Sequence, residues 1–410
     1  MSFRRFASMN GKAFQTFSVR GLRIAYERIE GPLTGIALGV RSGSRFDGIS
    51  PGIAHLAEHM LFQGTRQRDH IEVNQRAAEL GGDHDANTGY EDLNLTFQVL
   101  NADVAEAIAL LAEQVLGSSV PEDRLENERQ VVAQEIRGHR EDAIGYLCDE
   151  TWSRFFAGGL SHPPSGTLSS VQHIRADRLR RFLRERLVAS NMVLGVVGGV
   201  PAKEVSRAVE RWFRGLPIGV ALRGSGARVA RRGETRFRRA GLGQLYLNTL
   251  FSVSPDPRRL VALGLAIEIL GTDPDGRLYR EVRERHGLSY DLWADLQVGA
   301  GWAAMQIGAV APRRSEDRLR RAIDRVLTDA ADSGFTEEEV RRARRKVRYR
   351  YARLSEAKLD RAAAHAATAL YDALSVAEAE RLVRSLEHAE IESAWRAAIS
   401  GKRLTGVLTS

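Results

Sequence analysis

The segment GIAHLAEHMLFQGT, residues 52–65, places three ionisable side chains in an otherwise apolar stretch. On an α-helix, positions i and i+4 lie on one face, so His55 and His59 point the same way and Glu58 lies beside them. Burying three such groups without partners would be unfavourable, and a bound metal ion removes that cost. Two imidazoles with a neighbouring carboxylate are the groups of a hydrolytic zinc site, in which Glu58 would act as general base.

The residues alone leave the third protein ligand open. A helix predicted at 121–141 offers Glu128, Glu135 and His139. Glu128 and Glu135 are seven positions apart and share a helix face, and His139 lies one turn beyond Glu135. The alternative to a metal site is a set of partly exposed polar residues on an amphipathic helix.

Length and composition favour a soluble protein of at least two domains. The chain has 410 residues, 43% of them hydrophobic and 27% charged, and one core rarely serves so long a chain. No run of eighteen apolar residues occurs, so no membrane association is expected. The basic N-terminus lacks the apolar core of a signal peptide. With Cys148 as the only cysteine, a reducing, cytoplasmic location is expected.

The net charge of +8 does not by itself indicate a nucleic-acid-binding protein. Only five of the 60 basic residues are lysines, and most arginines alternate with glutamate and aspartate. No stacking aromatic residues accompany the basic charge. We therefore expect no nucleic-acid partner.

The hydrophobic pattern predicts two similar halves. In the first half, strands are expected at 17–27, 34–42, 93–100 and 192–200, and helices at 50–63, 71–81, 102–117, 121–141, 169–187 and 202–214. In the second half, the pattern predicts a strand at 244–251, a helix at 258–272, a hairpin at 292–311, helices at 314–332, 336–356 and 376–398, and a strand at the C-terminus.

These elements predict an α+β fold with two homologous domains, each a mostly antiparallel sheet with helices packed on one face. The predicted division is a metal-binding catalytic domain at 1–216, a Gly/Arg-rich linker at 217–236 and a homologous metal-free domain at 237–410. Two segment pairs align across the halves: 56–65 with 265–272, and 121–135 with 336–350.

The sequence resembles the pitrilysin and mitochondrial processing peptidase superfamily, whose members carry the inverted zinc motif His-x-x-Glu-His. The similarity continues through GVRSGSRFD (39–47), GGDHDANTGYEDLNLTFQVL (81–100) and GRLYREVRERHGLSYDL (276–292). In this family, a Glu-x(6)-Glu pair follows the motif by about 75 residues, and Glu135 lies 76 positions after His59. The resemblance implies that His55, His59 and Glu135 bind one Zn²⁺ per chain, with Glu128 supporting them from outside.

The resemblance also implies substrate-binding residues. An arginine and a tyrosine seven positions apart, here Arg283 and Tyr290, would bind the substrate backbone and stabilise the oxyanion. The segment Asp85, Ala86 and Asn87 corresponds to a family turn that often has asparagine where this chain has Asp85. We expect the peptide to add as a strand to an exposed edge near 93–100.

The second half is expected to bind no metal, because the alignment replaces the motif residues and the third ligand. The four replacements are Gly264, Ile267, Glu268 and Arg350.

The expected function is that of a zinc metalloendopeptidase for short or unfolded peptides, with precursor or leader-peptide processing as one role. Since the chain supplies half of the four-domain chamber that the resemblance implies, we expect a homodimer or a heterodimer with a homologous subunit. The alternatives are a catalytically inactive chamber-forming subunit and a module that binds peptides without cleaving them.

Overall fold

The computed structural model describes residues 14–224 and 226–410, which form two compact units. The first unit combines the chain up to Ile136 with His162–Arg223 and Arg353–Ala377. The second combines Arg137–Ser161, Gly224–Ala352 and Glu378–Ser410. Each unit therefore contains a short segment from the opposite half of the sequence. Most of the basic N-terminal stretch, residues 1–13, lies outside the described residues.

The first unit is built on a six-stranded sheet in the order β1-β2-β6-β3-β5-β4. Only the pairing of β2 with β6 is parallel. The strands are β1 (Gln15–Val19), β2 (Leu22–Arg28), β3 (Leu33–Val40), β4 (Asp83–Thr88), β5 (Leu93–Leu100) and β6 (Met192–Gly198).

One face of this sheet supports the main core. Fully buried side chains such as Ile36, Leu38 and Phe97 pack there against apolar helix residues. The helices of the first unit are α1 (Ile53–Met60), α2 (His70–Glu79), α3 (Val104–Gly117), α4 (Glu122–Glu141), α6 (Leu168–Gln172), α7 (Ala176–Arg186), α8 (Ala202–Trp212) and, from the second half of the sequence, α12 (Lys358–Tyr371). Helix α4 ends within the second unit.

The opposite face of the first sheet is covered by α12, a helix that the sequence analysis did not predict. Its Ala362 and Ala366 pack on small and branched residues of β2, β3 and β6. A Cβ at Gly35 would lie 2.6 Å from the backbone of Leu359, and one at Gly195 would lie 2.1 Å from the carbonyl oxygen of Ala362. The two glycines therefore allow α12 to lie unusually close to the sheet.

The second unit repeats this topology with five strands in the order β7-β11-β8-β10-β9. Again a single pairing, β11 with β7, is parallel. The elements are α5 (Ala143–Phe155), β7 (Gly233–Arg238), β8 (Gln244–Val253), α9 (Pro257–Leu270), β9 (Leu292–Gly299), β10 (Trp302–Pro312), α10 (Glu316–Asp332), α11 (Glu337–Glu356), α13 (Val376–Ser385), α14 (His388–Ile399) and β11 (Arg403–Thr409).

The predicted α+β fold is confirmed, and the repeated strand order agrees with an internal duplication. One detail of the prediction was wrong. Residues 93–100 form β5, which pairs with β3 on one side and β4 on the other. The edge of the first sheet is β4, whose polar sequence DHDANT had not indicated a strand.

Within the described part of the chain, no helix combines the length and the apolar composition needed to cross a membrane.

Candidate metal centre

Helix α1 holds the motif residues in a fixed orientation. Its N-terminus is capped by the buried carboxylate of Asp47, which accepts hydrogen bonds from the backbone N–H groups of Gly52 at 2.6 Å and Ala54 at 3.2 Å. Gly52 has φ of 87°, a conformation that glycine adopts without strain. The apolar residues of α1 are fully buried, so the helix is fixed beneath its polar face.

The two histidines and Glu135 converge on one point. The Nε2 atoms of His55 and His59 lie 3.7 Å and 3.5 Å from the same oxygen of Glu135, Oε2. Helix α4 supplies Glu135, whose side chain is 47% exposed, so the convergence point is open to solvent on one side. Ligand atoms of His55, Glu58 and His59 also lie within 4.8 Å of one another, and no other such group of three occurs among the described residues.

Glu128 orients the His59 ring through the nitrogen that faces away from Glu135. Its Oε2 lies 2.8 Å from Nδ1 of His59. An ionised carboxylate can only accept a hydrogen bond, so Nδ1 is the donor and the Nε2 lone pair is free on the side of Glu135. Nδ1 of His55, in contrast, is buried without a hydrogen-bond partner in the structure. A buried carboxylate therefore orients only one of the two imidazoles.

The two histidines differ in electrostatic environment. Burial, together with the nearby charge of His59, lowers the pKa of His55 to about 4, so His55 is neutral near pH 7. Burial also acts to lower the pKa of His59, but the hydrogen bond to Glu128 and the charges of Glu135 and Glu128 outweigh it and raise the pKa. Two imidazole nitrogens and one carboxylate oxygen form a donor set that suits zinc, so the residues present fit this ion.

Glu58 lies beside this convergence point and is held by β4. The hydroxyl of Thr88 donates a hydrogen bond to Oε2 of Glu58. Burial raises the pKa of Glu58, the hydrogen bond from Thr88 and the charge of His59 oppose the rise, and the charges of Asp85 and Glu135 add to it. A carboxylate with a raised pKa can exchange protons nearer to neutral pH.

The predicted substrate residues Asp85, Ala86 and Asn87 all lie on β4. Asp85 and Asn87 are exposed, whereas Ala86 packs against the main core. The carboxylate of Asp85 accepts a hydrogen bond from the backbone N–H of Ala86 at 2.8 Å. Because β4 pairs only with β5, its other edge offers backbone groups to a further strand.

The remaining candidates lie elsewhere. Nε2 of His139 lies 3.0 Å from Asp149, so that imidazole pairs with α5 of the second unit. In the second unit, at positions aligned with His59 and Glu135, Glu268 forms an ion pair with Arg350.

Arg283 and Tyr290 contact each other within the second unit. The guanidinium carbon of Arg283 lies 4.2 Å from the ring centroid of Tyr290 and 4.9 Å from that of Tyr279. Tyr290 is 75% exposed. Both line an open cavity of about 600 Å³, whose other lining residues are Ile144, Cys148, Asp291, Leu292, Trp293, Asp295 and Gln306.

Two residues that hold the motif helix and Glu58 in place were not identified from the sequence. Asp47 accepts hydrogen bonds from Gly52 and Ala54 at the start of α1, but it lies outside the usual N-cap position, so no capping pattern in the sequence indicated it. Thr88 holds Glu58 from a separate strand, and no local pattern indicated that contact.

Two family models match the chain. The model described as Insulinase (Peptidase family M16) matches residues 23–154, and the model described as Peptidase M16 inactive domain matches residues 173–347.

Similar proteins are named as proteases. An uncharacterized zinc protease of Mycobacterium leprae is 30% identical over 80% of this chain and 76% of its own length. One of Streptomyces coelicolor is 28% identical, and the match covers 71% of this chain and 66% of that relative, just under two thirds. The crystal structure of a protease from Helicobacter pylori superposes with a TM-score of 0.90 over 97% of this chain and 100% of that one, at 17% identity. This last likeness shows the fold alone.

Proposed function

Because the chain belongs to peptidase family M16, which confirms the resemblance inferred from the sequence, we propose that it is a zinc-dependent endopeptidase for short or unfolded peptides. The observation that carries this proposal is the convergence of His55, His59 and Glu135 beside Glu58. A peptide-binding scaffold without chemistry would have no physical need for that arrangement.

His55, His59 and Glu135 would hold the zinc ion. When bound, the ion supplies Lewis acidity, which polarises a carbonyl group and acidifies a coordinated water molecule. His55 is suited to this role because it is neutral near pH 7. Glu128 fixes the tautomer of His59, so that Nε2 presents its lone pair.

Glu58 is the proton carrier in the proposed reaction. Its carboxylate takes a proton from the attacking water molecule and later gives it to the leaving amine. Thr88 keeps one carboxylate oxygen in place, so the other is available for proton transfer. The raised pKa of Glu58 assists the second transfer, in which the protonated carboxyl acts as the acid.

The substrate is proposed to bind as an additional strand on β4. Main-chain hydrogen bonds along such an edge give affinity with little dependence on sequence. Asp85 places a negative charge on this strand, which favours basic peptides. Arg283 and Tyr290 are proposed to bind the substrate backbone and the developing oxyanion, as the family resemblance implies.

We propose further that the active assembly is a dimer, formed with a second copy or with a homologous subunit. One chain contributes two homologous units, which is half of the chamber implied by the family resemblance. Processing of precursor proteins or leader peptides is one role consistent with a site that accepts extended chains.

The test is cleavage of a mixed peptide library by the purified chain and by Glu58→Gln, with bound zinc quantified in both. The variant keeps the proposed ligands and loses the proton carrier, so we expect zinc to be retained and cleavage to fall by about 10²–10⁴-fold. Glu79→Gln, an exposed change on α2, is the matched control and should cleave like the unmodified chain.

Two results would contradict the proposal. Zinc bound by a chain that cleaves no peptide, alone or with a homologous subunit, would favour an inactive partner or a peptide-binding module. A chain that binds no zinc would remove the basis of the mechanism altogether.

A further inference from the structure

A second cavity, of about 480 Å³, lies within the second unit beside α11, and its lining is strongly basic. Seven residues line it: Glu337, Val340, Arg341, Arg344, Arg345, Arg348 and His388. Four arginines therefore face one carboxylate. A volume of this size is typical of a site for a small molecule.

Several cations of this cavity are incompletely neutralised. Arg345 is exposed, and it interacts with the charge of Glu338 without an ion pair at contact distance among the described residues. Arg348 forms a long hydrogen bond and ion pair with Glu380, with 3.5 Å between Nε and Oε1. The guanidinium group of Arg344 donates to the backbone carbonyls of Arg384 and Leu386 and to no carboxylate. In contrast, Arg341 is fully engaged by Glu338.

Two buried nitrogen atoms in the lining have no hydrogen-bond partner. They are Nε of Arg344 and Nε2 of His388. The closest carboxylate oxygen to the latter, on Glu392, lies 3.4 Å away without hydrogen-bond geometry. An unpaired guanidinium N–H and an imidazole nitrogen that can also donate, beside several guanidinium groups, suit a ligand rich in acceptor oxygens.

We propose that this cavity binds a small anion containing two or three linked phosphoryl groups. The guanidinium fork matches phosphate oxygens in pairs, a geometry that lysine does not offer. Arg341 and Arg348 are seven residues apart, which corresponds to about 10 Å along a helix, the length of a short phosphate chain. The site lies outside the residues assigned to peptide cleavage, so it is independent of the proposed function.

The experiment is a calorimetric titration of the whole chain with inorganic triphosphate and, separately, with a nucleoside triphosphate, at constant ionic strength. The variant Arg345→Ala/Arg348→Ala removes two exposed guanidinium groups of the lining and should weaken triphosphate binding by about tenfold or more. Arg342→Ala/Arg353→Ala removes two arginines of the same helix that lie outside this lining, so it is the charge-matched control and should bind like the unmodified chain. General charge attraction and chelation of zinc by triphosphate would be equal in both variants.

A third variant acts in the opposite direction. Glu337→Gln removes the only carboxylate in the lining and should tighten triphosphate binding by about two- to fivefold. Equal affinity for inorganic and nucleoside triphosphate would show that the phosphate chain is recognised, and tighter binding of the nucleoside form would add a contact to the base or sugar. Absence of binding at millimolar triphosphate, or an equal loss in Arg342→Ala/Arg353→Ala, would overturn the proposal.

Discussion

The two units place different side chains around the carboxylates of an equivalent helix pair. In the first unit, α1 and α4 bring His55, His59 and Glu135 together, and Glu135 forms no ion pair with a lysine or arginine among the described residues. In the second, α9 and α11 place Glu268 beside Arg350 and Lys346. The side chains of the first unit therefore form a set that can bind a metal ion, whereas those at equivalent positions of the second unit include positively charged groups.

Lys346 is the centre of the second arrangement. Its ammonium group lies 3.4 Å from Glu268, 3.1 Å from Asp273 and 2.5 Å from Asp275. Burial acts to lower the pKa of Lys346, but the hydrogen bonds that its ammonium group donates to Asp275 and Asp273, with the charge of Glu268, outweigh it and raise the pKa to about 12. The comparison teaches that two equivalent helix pairs can place carboxylates beside imidazoles in one unit and beside basic side chains in the other.

The largest effect is expected when the first arrangement loses a ligand. His55→Ala removes one of the two imidazoles, so the zinc affinity and the rate of peptide cleavage should both fall. The loss should exceed the roughly 10–100-fold that is typical when a residue hydrogen-bonded to a metal ligand is changed. His173→Ala, an exposed histidine, is the control. Inductively coupled plasma spectrometry and a fluorogenic peptide assay measure the two quantities. Cleavage that survives in His55→Ala at unchanged zinc content would refute the ligand assignment.

A smaller effect is expected from Glu128→Gln. The amide can no longer fix the His59 tautomer as a charged acceptor, so zinc affinity should fall by about 10–100-fold. The measurement is a competition titration with a zinc chelator. Glu126→Gln, an exposed change on the same helix, should leave the affinity unchanged. Equal affinity in the Glu128 and Glu126 variants would show that Glu128 is only a packing residue.

The second arrangement can be broken through Lys346→Met. The substitution leaves Glu268, which is 8% exposed, to balance its charge against Arg350 alone, and it leaves Asp273 and Asp275 unpaired. Because the Lys346 side chain is itself 34% exposed, solvent screening limits the expected loss to about 1–2 kcal/mol in the free energy of unfolding. Chemical denaturation measures it, with the exposed Lys203→Met as control. Unchanged stability would mean that Lys346 does not balance these carboxylates.

The smallest effect is a shift in pH dependence. The charge of Asp85 adds to the raised pKa of Glu58, so Asp85→Asn should lower the pKa of Glu58. The base form of Glu58 then persists to lower pH, and the acidic limb of the kcat/KM profile should move to lower pH. Asp83→Asn on the same strand is the control. A move to higher pH, or an equal move in both variants, would contradict the assigned coupling.

The grouping of the motif residues on α1 could be predicted from the sequence because it depends only on spacing within one helix. The i, i+4 spacing of His55 and His59 dictates a shared face, and the structure brings them together with Glu58. The choice of Glu135 over His139 came from family resemblance, since two glutamates and a histidine on one helix are equivalent by spacing alone. The structure places Glu135 at the two imidazoles and pairs His139 with Asp149. The catalytic and binding roles of these residues stay predictions.

Strand β4 and helix α12 were not predicted from the sequence, and both omissions have physical reasons. Strand β4 has the sequence DHDANT, whose aspartate and asparagine residues disfavour strands, and it forms because β5 supplies a hydrogen-bonding partner. The buried face of helix α12 consists mainly of alanine, which gives a weak hydrophobic signal in the sequence, and the glycines opposite it allow close contact through these small side chains. Both elements depend on partners distant in sequence.

The placement of α5 and α12 means that neither half of the chain is a self-sufficient domain. Residues 1–216 alone would lack α12, and the face of the first sheet that carries Gly35 and Gly195 would be bare. Residues 237–410 alone would lack α5, whose Leu147 packs with Phe237 and Leu408 in the second unit. A protease that cut the chain between 217 and 232 would therefore leave two fragments that each complete the fold of the other. We therefore expect the chain to tolerate cleavage between 217 and 232 after folding, whereas residues 1–216 and 237–410 expressed separately should not form stable proteins.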